Sequence, residues 1–147
     1  MSQPSSVNFV HIGICVSDLQ RSIRFYSEAL GFTDTAAIGE LGAPFDTLIE
    51  LPGSTLQAHQ MTCGGLKIEL LAFPTAGVTG SSERKPMNQL GFTHMTLAVD
   101  DIDATIKRIT EHGGKVHPET RVDSAYGPIV FCTDPDGVRI EIMQPAG

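Results

Sequence analysis

Two histidines and two glutamates hold the residue types in this chain that could do chemistry together. His11 lies in FVHIGICVSD (residues 9–18) and His94 in FTHMTLAVDD (residues 92–101). Glu69 lies in GLKIEL (residues 65–70) and Glu141 in GVRIEI (residues 137–142). Singly, each has an ordinary explanation. A strand histidine is commonly a core residue with one satisfied hydrogen bond. A strand glutamate can pair with a neighbouring cation, here Lys67 or Arg139. Jointly they form a donor set. Two imidazoles and two carboxylates around one cavity suit a borderline divalent cation, and such a cation offsets the large penalty of burying unpaired carboxylates.

The joint reading depends on whether the chain brings the four together, and an internal repeat argues that it does. Phe9, His11, Val16 and Asp18 match Phe92, His94, Val99 and Asp101, each pair 83 residues apart. The same offset relates Leu19 to Ile102, Ile23 to Ile106, Tyr26 to Ile109 and Gly31 to Gly114. Glu69 and Glu141 are 72 residues apart, so the first copy carries 11 extra residues, assigned to the Gly- and Pro-containing stretch 38–55. Repeats of this kind are two copies of one supersecondary unit.

Each unit opens with an apolar strand and then a helix. Ser17 followed by Gln20 has the form of a capping box, and Leu19, Ile23, Tyr26 and Leu30 share one helical face. Gly31 is a suitable helix stop. The second helix starts near Asp100 or Asp101, presents Ile102, Ile106 and Ile109, and stops at Gly113-Gly114. Strands follow near 33–38, 56–62 and 66–72, and near 115–121, 128–132 and 138–143, with Asp134-Pro135-Asp136-Gly137 as a turn. The expected fold is α+β: two βαβββ modules, 8–73 and 91–144, joined by a linker over 74–90, with a mixed sheet closing into a cup and helices outside.

Alternation along the strands then places the four residues. Val10, Ile12, Ile14 and Val16 face the helix, and Phe9, His11, Gly13 and Cys15 face away. Ile68 and Leu70, like Ile140 and Ile142, face the helix, which turns Glu69 and Glu141 to the histidine side. Phe9, Phe92, Met61 and Met143 suggest an apolar wall. Of His59 and Gln60 on a middle strand, only one can face the cup, and both are candidate substrate contacts with Tyr126. His112 and His117 are expected at the solvated surface.

Composition narrows the functions. A chain of 147 residues with 41% apolar residues is about one domain. A net charge of −7 argues against nucleic acid as a partner. No apolar stretch has the length of a membrane span, and MSQPSSVN has no signal-peptide core. Cys15, Cys63 and Cys132 form no CxxC pair, which fits inert free thiols in a reducing cytoplasm.

The segments HIGICVSDLQRSIRFYSEALGF and DPDGVRIEIMQ resemble the opening and the closing strand of bacterial glyoxalase I, and GFTHMTLAVDDIDA resembles the second module of methylmalonyl-CoA epimerases. The resemblance is to the vicinal oxygen chelate superfamily, over residues 8 to 144. It implies a metal held by His11, Glu69, His94 and Glu141, one divalent ion of Ni, Zn, Co, Mn or Fe, and a small-molecule substrate. It implies a lyase or isomerase that stabilises an enolate of a carbonyl compound, with Glu141 or Glu69 as the base. A homodimer and a cytoplasmic location are expected. Residues 37–61 contain no arginine, so a glutathione adduct is not the expected substrate. The alternatives are a non-haem iron extradiol-type dioxygenase using His11, His94 and Glu141, and a drug-sequestering protein of the bleomycin-resistance kind.

Overall fold

The computed structural model describes residues 5–147. The first module runs β1 (Ile12–Cys15), α1 (Leu19–Arg24, continued by a wide π-helical turn over Phe25–Ala29), β2 (Thr33–Leu41), a one-turn α2 (Phe45–Leu48), β3 (Leu56–Cys63) and β4 (Leu66–Ala72). The second runs β5 (Met95–Ala98), α3 (Ile102–Glu111), β6 (Lys115–Ser124), β7 (Gly127–Thr133) and β8 (Arg139–Met143). The sheets are four-stranded and have matching orders, β1-β4-β3-β2 and β5-β8-β7-β6, with the first pair parallel and the others antiparallel in each. This is the α+β architecture of two βαβββ units expected from the repeat. β2 runs to Leu41, as β6 runs to Ser124, and the extra residues of the first copy lie between β2 and β3, where they form α2.

α1 and α3 each begin on the repeated aspartate. Asp18 caps α1 by accepting from the Arg21 N–H, and Asp101 caps α3 by accepting from the Ala104 N–H. Ser17 was expected to cap the first, but its hydroxyl is engaged elsewhere. Its Oγ donates to Asp136 of the other module and accepts from the Arg21 guanidinium. Asp18 is also placed to offset the helix dipole, a role a serine fills less well.

The expected apolar stripe on α1 is rotated. Ser22, Phe25, Tyr26 and Ala29 are fully buried, while Leu19, Ile23 and Leu30 are only partly covered. The helix lies between its own sheet and the second module, so a face turned from the sheet is also sealed. Tyr26 shows this. Its hydroxyl donates to the Asp134 carboxylate at 2.9 Å, inside the opposite module. Asp134 is 2% exposed and accepts two further bonds, from the Asp136 and Val138 N–H groups of the turn. Burial pushes its carboxyl up from the ordinary range despite these donors. Around this contact the helix sides of both sheets form one core, including Ile14, Val16, Phe25, Ile68, Leu70, Ile109, Ile140 and Ile142.

The modules also meet at Gly114. A methyl group there would lie 2.7 Å from Ile109, from Phe25 and from the Thr133 carbonyl. Gly114→Ala should therefore overpack the junction and destabilise the chain by about 1–3 kcal/mol, lowering the melting temperature by roughly 3–10 °C. Gly65, with nothing within 4 Å of its added methyl, is the control: Gly65→Ala should melt near the wild-type temperature. Differential scanning calorimetry of both variants checks this.

Candidate functional site

The face of each sheet turned away from the shared core carries the four residues singled out by the repeat. They form two separate pairs. His11 Nε2 lies 3.5 Å from a Glu69 oxygen, and His94 Nε2 lies 3.7 Å from a Glu141 oxygen. Among the described residues no three His, Cys, Asp or Glu side chains gather at metal-holding distance. The reason is the packing described above. The two helix sides face each other, so the two open faces look outward.

Register explains the pairs. In the first module Gly13 stands beside Glu69 in the parallel β1–β4 ladder, and Gln60 stands opposite Glu69 across β3–β4. In the second, Thr96 stands beside Glu141, and Phe131 stands opposite it. The small Gly13 leaves room over Glu69. The two glutamates therefore have different surroundings. The Gln60 amide donates to Glu69 Oε2 at 2.8 Å. The Thr96 hydroxyl donates to Glu141 Oε1 at 3.2 Å, with an aromatic ring as the cross-strand neighbour. His94 is fixed by a 2.8 Å contact from Nδ1 to the Thr93 hydroxyl and by the Phe131 ring edge, 5.3 Å away between centroids. His11 Nδ1 is buried and has no hydrogen-bond partner among the described residues.

The structure decides between His59 and Gln60. Gln60 shares the open face with Glu69, whereas His59 pairs across from Leu70 on the core side and bonds the Asp34 carboxylate at 2.7 Å. Met61, expected in the apolar wall, is likewise on the core side and fully buried, opposite Ile68. Tyr126 is 74% exposed at the β6–β7 turn, where its carbonyl accepts from the Ala146 N–H. Neither glutamate is paired with the cation two positions before it: the carboxylate contacts of Glu69 and Glu141 run to the two histidines, Gln60 and Thr96.

Residues missed from the sequence are Thr96, Phe131 and the role of Gln60. For Gln60 the signal was present in a turn. Gly64-Gly65 is a two-residue hairpin loop closing the Cys63–Leu66 pair, and counting back from it sets Gln60 opposite Glu69. His112, expected as a free surface residue, bridges the modules by bonding Glu28 at 2.8 Å, and its pKa rises through its bonds to the Arg108 carbonyl and to Glu28. His117 faces the same side as Phe131, and its pKa is lowered by burial and by the cations Arg84 and Arg139. Of the cysteines, Cys132 is buried, which pushes its thiol up to about 11, while Cys63 is partly covered and Cys15 is exposed on the open face.

The family model described as the Glyoxalase/Bleomycin resistance protein/Dioxygenase superfamily matches residues 8–142. A relative from Vibrio parahaemolyticus, named a probable lactoylglutathione lyase, is 30% identical over 143 residues, covering 95% of this chain and 92% of that protein. A probable chloroplastic lactoylglutathione lyase of Arabidopsis thaliana is 29% identical over 136 residues, and there the match covers only 35% of the longer relative. Among solved structures, a glyoxalase family protein from Bacillus cereus superposes with a TM-score of 0.86 at 21% identity, covering 100% of this chain and 99% of that one. That likeness speaks to the fold alone. Among the described residues no helix is long and apolar enough to cross a membrane.

Proposed function

The chain belongs to the glyoxalase, bleomycin resistance protein and dioxygenase superfamily, and on that premise we propose that it is a divalent-metal-dependent lyase or isomerase that moves a proton at the carbon beside a carbonyl group of a small molecule. The observation that carries this is the matched pair of His–Glu half-sites. Two ligands bound at about 2.1 Å and at a tetrahedral angle on one ion lie about 3.4 Å apart. The 3.5 and 3.7 Å separations fit that spacing. Each carboxylate also has its second oxygen held from behind, by Gln60 or Thr96, as metal-ligating carboxylates commonly do. The relatives named lactoylglutathione lyase favour the same class of reaction.

Four donors in two outward-facing pairs call for a second chain. In this reading the first module of one protomer stands against the second module of its partner in a homodimer, which completes two sites. Exposed apolar side chains on and beside the open faces support it: Phe9 and Phe92 are 64% and 94% exposed, and Leu90 is fully exposed. His11, Glu69, His94 and Glu141 would hold one ion of Ni, Co, Zn, Mn or Fe. The ion supplies an electrophile for a carbonyl oxygen of the substrate.

The protein's own groups divide the remaining work. Glu69, gripped by the Gln60 amide, is the fixed ligand. Glu141 has the longer bond, from a hydroxyl, and an aromatic cross-strand neighbour, so its carboxylate is the freer of the two to take and return the proton. Glu69 also supplies one carboxylate more than the two-histidine, one-carboxylate set of an iron dioxygenase uses, which favours the lyase or isomerase reading.

Metal analysis should find about one divalent ion per chain, and chelation should lower the melting temperature, because an ion bound only by the folded form adds stability by mass action. His11→Ala and His94→Ala should each remove most of the affinity, and Gln60→Leu should weaken it about 10-fold through loss of the support to Glu69. Protein kept from chelators that holds no metal, and that shows no thermal shift with any of the five ions, would overturn the reading. Once a substrate is in hand, Glu141→Gln should keep much of the metal yet lose about 10² to 10⁴ in rate. Turnover in D2O should place deuterium beside the carbonyl, and full activity of Glu141→Gln would exclude that residue as the base. Analytical ultracentrifugation should give a dimer, and a monomer at working concentration would contradict the shared site.

A further inference from the structure

Arg139 is a cation without an anion. Its side chain leaves β8 two positions before Glu141 and on the same face, so the two lie one i,i+2 step apart, roughly 7 Å along the strand. The residue is 8% exposed. The guanidinium carbon sits 4.8 Å from the centre of the Phe131 ring, the residue opposite Glu141. The one hydrogen bond it makes to the described residues runs to the Lys85 carbonyl. Among the described residues no carboxylate lies within ion-pairing distance of it, although the chain has 17 acidic residues against 10 Lys and Arg. Arg84, which could share a carboxylate with it, spends its charge on Glu119 at 2.9 Å.

The guanidinium has one neutral protein acceptor and no carboxylate among the described residues, and its other N–H groups stay reachable from outside, free to bind an anion. Its planar fork matches an oxyanion better than any neutral group. The first module repeats the placement, with Lys67 two positions before Glu69 on the open face. In a chain of net charge −7, a cation beside each glutamate is not a general surface property.

We propose that Arg139 is an anion subsite beside Glu141, and that the substrate is a small carbonyl compound bearing an oxyanion group, a carboxylate or a phosphate or phosphonate, which the guanidinium fork binds. The ring of Phe131 packs against the guanidinium. This deepens the proposed reaction and rests on it for the role of Glu141, but anion binding at Arg139 needs no metal.

The test therefore uses the full chain after chelation and removal of the chelator. It is titrated at constant ionic strength with inorganic phosphate, with pyruvate, and with neutral acetone. Calorimetry should show binding of at least one anion and none of acetone. Phosphate or pyruvate as the tighter ligand tells which oxyanion the fork prefers. Arg139→Gln should weaken the preferred anion at least 10-fold, and Arg139→Lys, which keeps the charge and loses the fork, should fall between. A measurement on the wild type alone guards against a variant that fails to fold: the bound anion should slow modification of Arg139 by 2,3-butanedione, read by peptide mass spectrometry. Binding of neither anion, equal affinity in a folded Arg139→Gln variant, or no protection of Arg139 would overturn the proposal. Because the chelated protein is used, those outcomes are separate from any failure of the metal reading.

Discussion

The contact on which the rest of the molecule depends is the burial of one module's helix side against the other's. Phe25 and Tyr26 are completely inside it, and the Tyr26 hydroxyl reaches across to a carboxylate that is itself almost fully buried. A hydrogen bond to a charged group of this kind contributes about 1.5–3 kcal/mol, and removing the donor would leave the carboxylate short of a partner in an apolar core. Asp134 also organises the turn that leads into β8, so one side chain ties the module junction to the strand that carries Arg139 and Glu141. The junction is tight at Gly114, where an added methyl would lie 2.7 Å from Ile109, Phe25 and the Thr133 carbonyl.

That packing has a direct consequence for chemistry. Strand alternation gives each sheet two faces, and the apolar one is spent on the shared core. The other is left with His11, Gly13, Gln60, Lys67 and Glu69 in one module and with His94, Thr96, Phe131, Arg139 and Glu141 in the other. The repeat makes the half-sites alike in their histidine and glutamate. Divergence makes them unlike in what stands opposite the glutamate, an amide in one and an aromatic ring in the other. In the proposed reaction this would give a symmetric donor set with unlike carboxylates, Glu69 held by the Gln60 amide and Glu141 freer to move a proton.

Much of this was legible in the sequence, because the signals were local or repeated. The 83-residue offset set the strand–helix unit, and alternation set the face of every histidine and glutamate that mattered. What escaped was set at long range. The capping role passed from Ser17 to Asp18 because Asp136, 119 residues away, takes the serine hydroxyl. The buried stripe of α1 includes Ser22 and Ala29 because the second module lies on that side, which no periodicity within the helix reveals. His59 and Gln60 were undecided because the choice depends on the β3–β4 register. The Gly64-Gly65 hairpin fixes that register, and counting from it would have decided the matter. The separation of the four donors into two pairs was the least legible feature, since the repeat is compatible with closure within one chain or across two.

The central claim is that a complete site takes His11 from one protomer and His94 from its partner. Mixing two variants tests it most directly. His11→Ala and His94→Ala, each unable to hold the metal alone, are unfolded, combined in equal amounts, refolded together and assayed for bound cobalt by its absorption. If sites are shared, each mixed dimer has one site with both histidines intact, and random pairing restores about a quarter of the wild-type sites. If each chain builds its own site, both protomers of every dimer remain defective, and the mixture binds no more cobalt than the separate variants do.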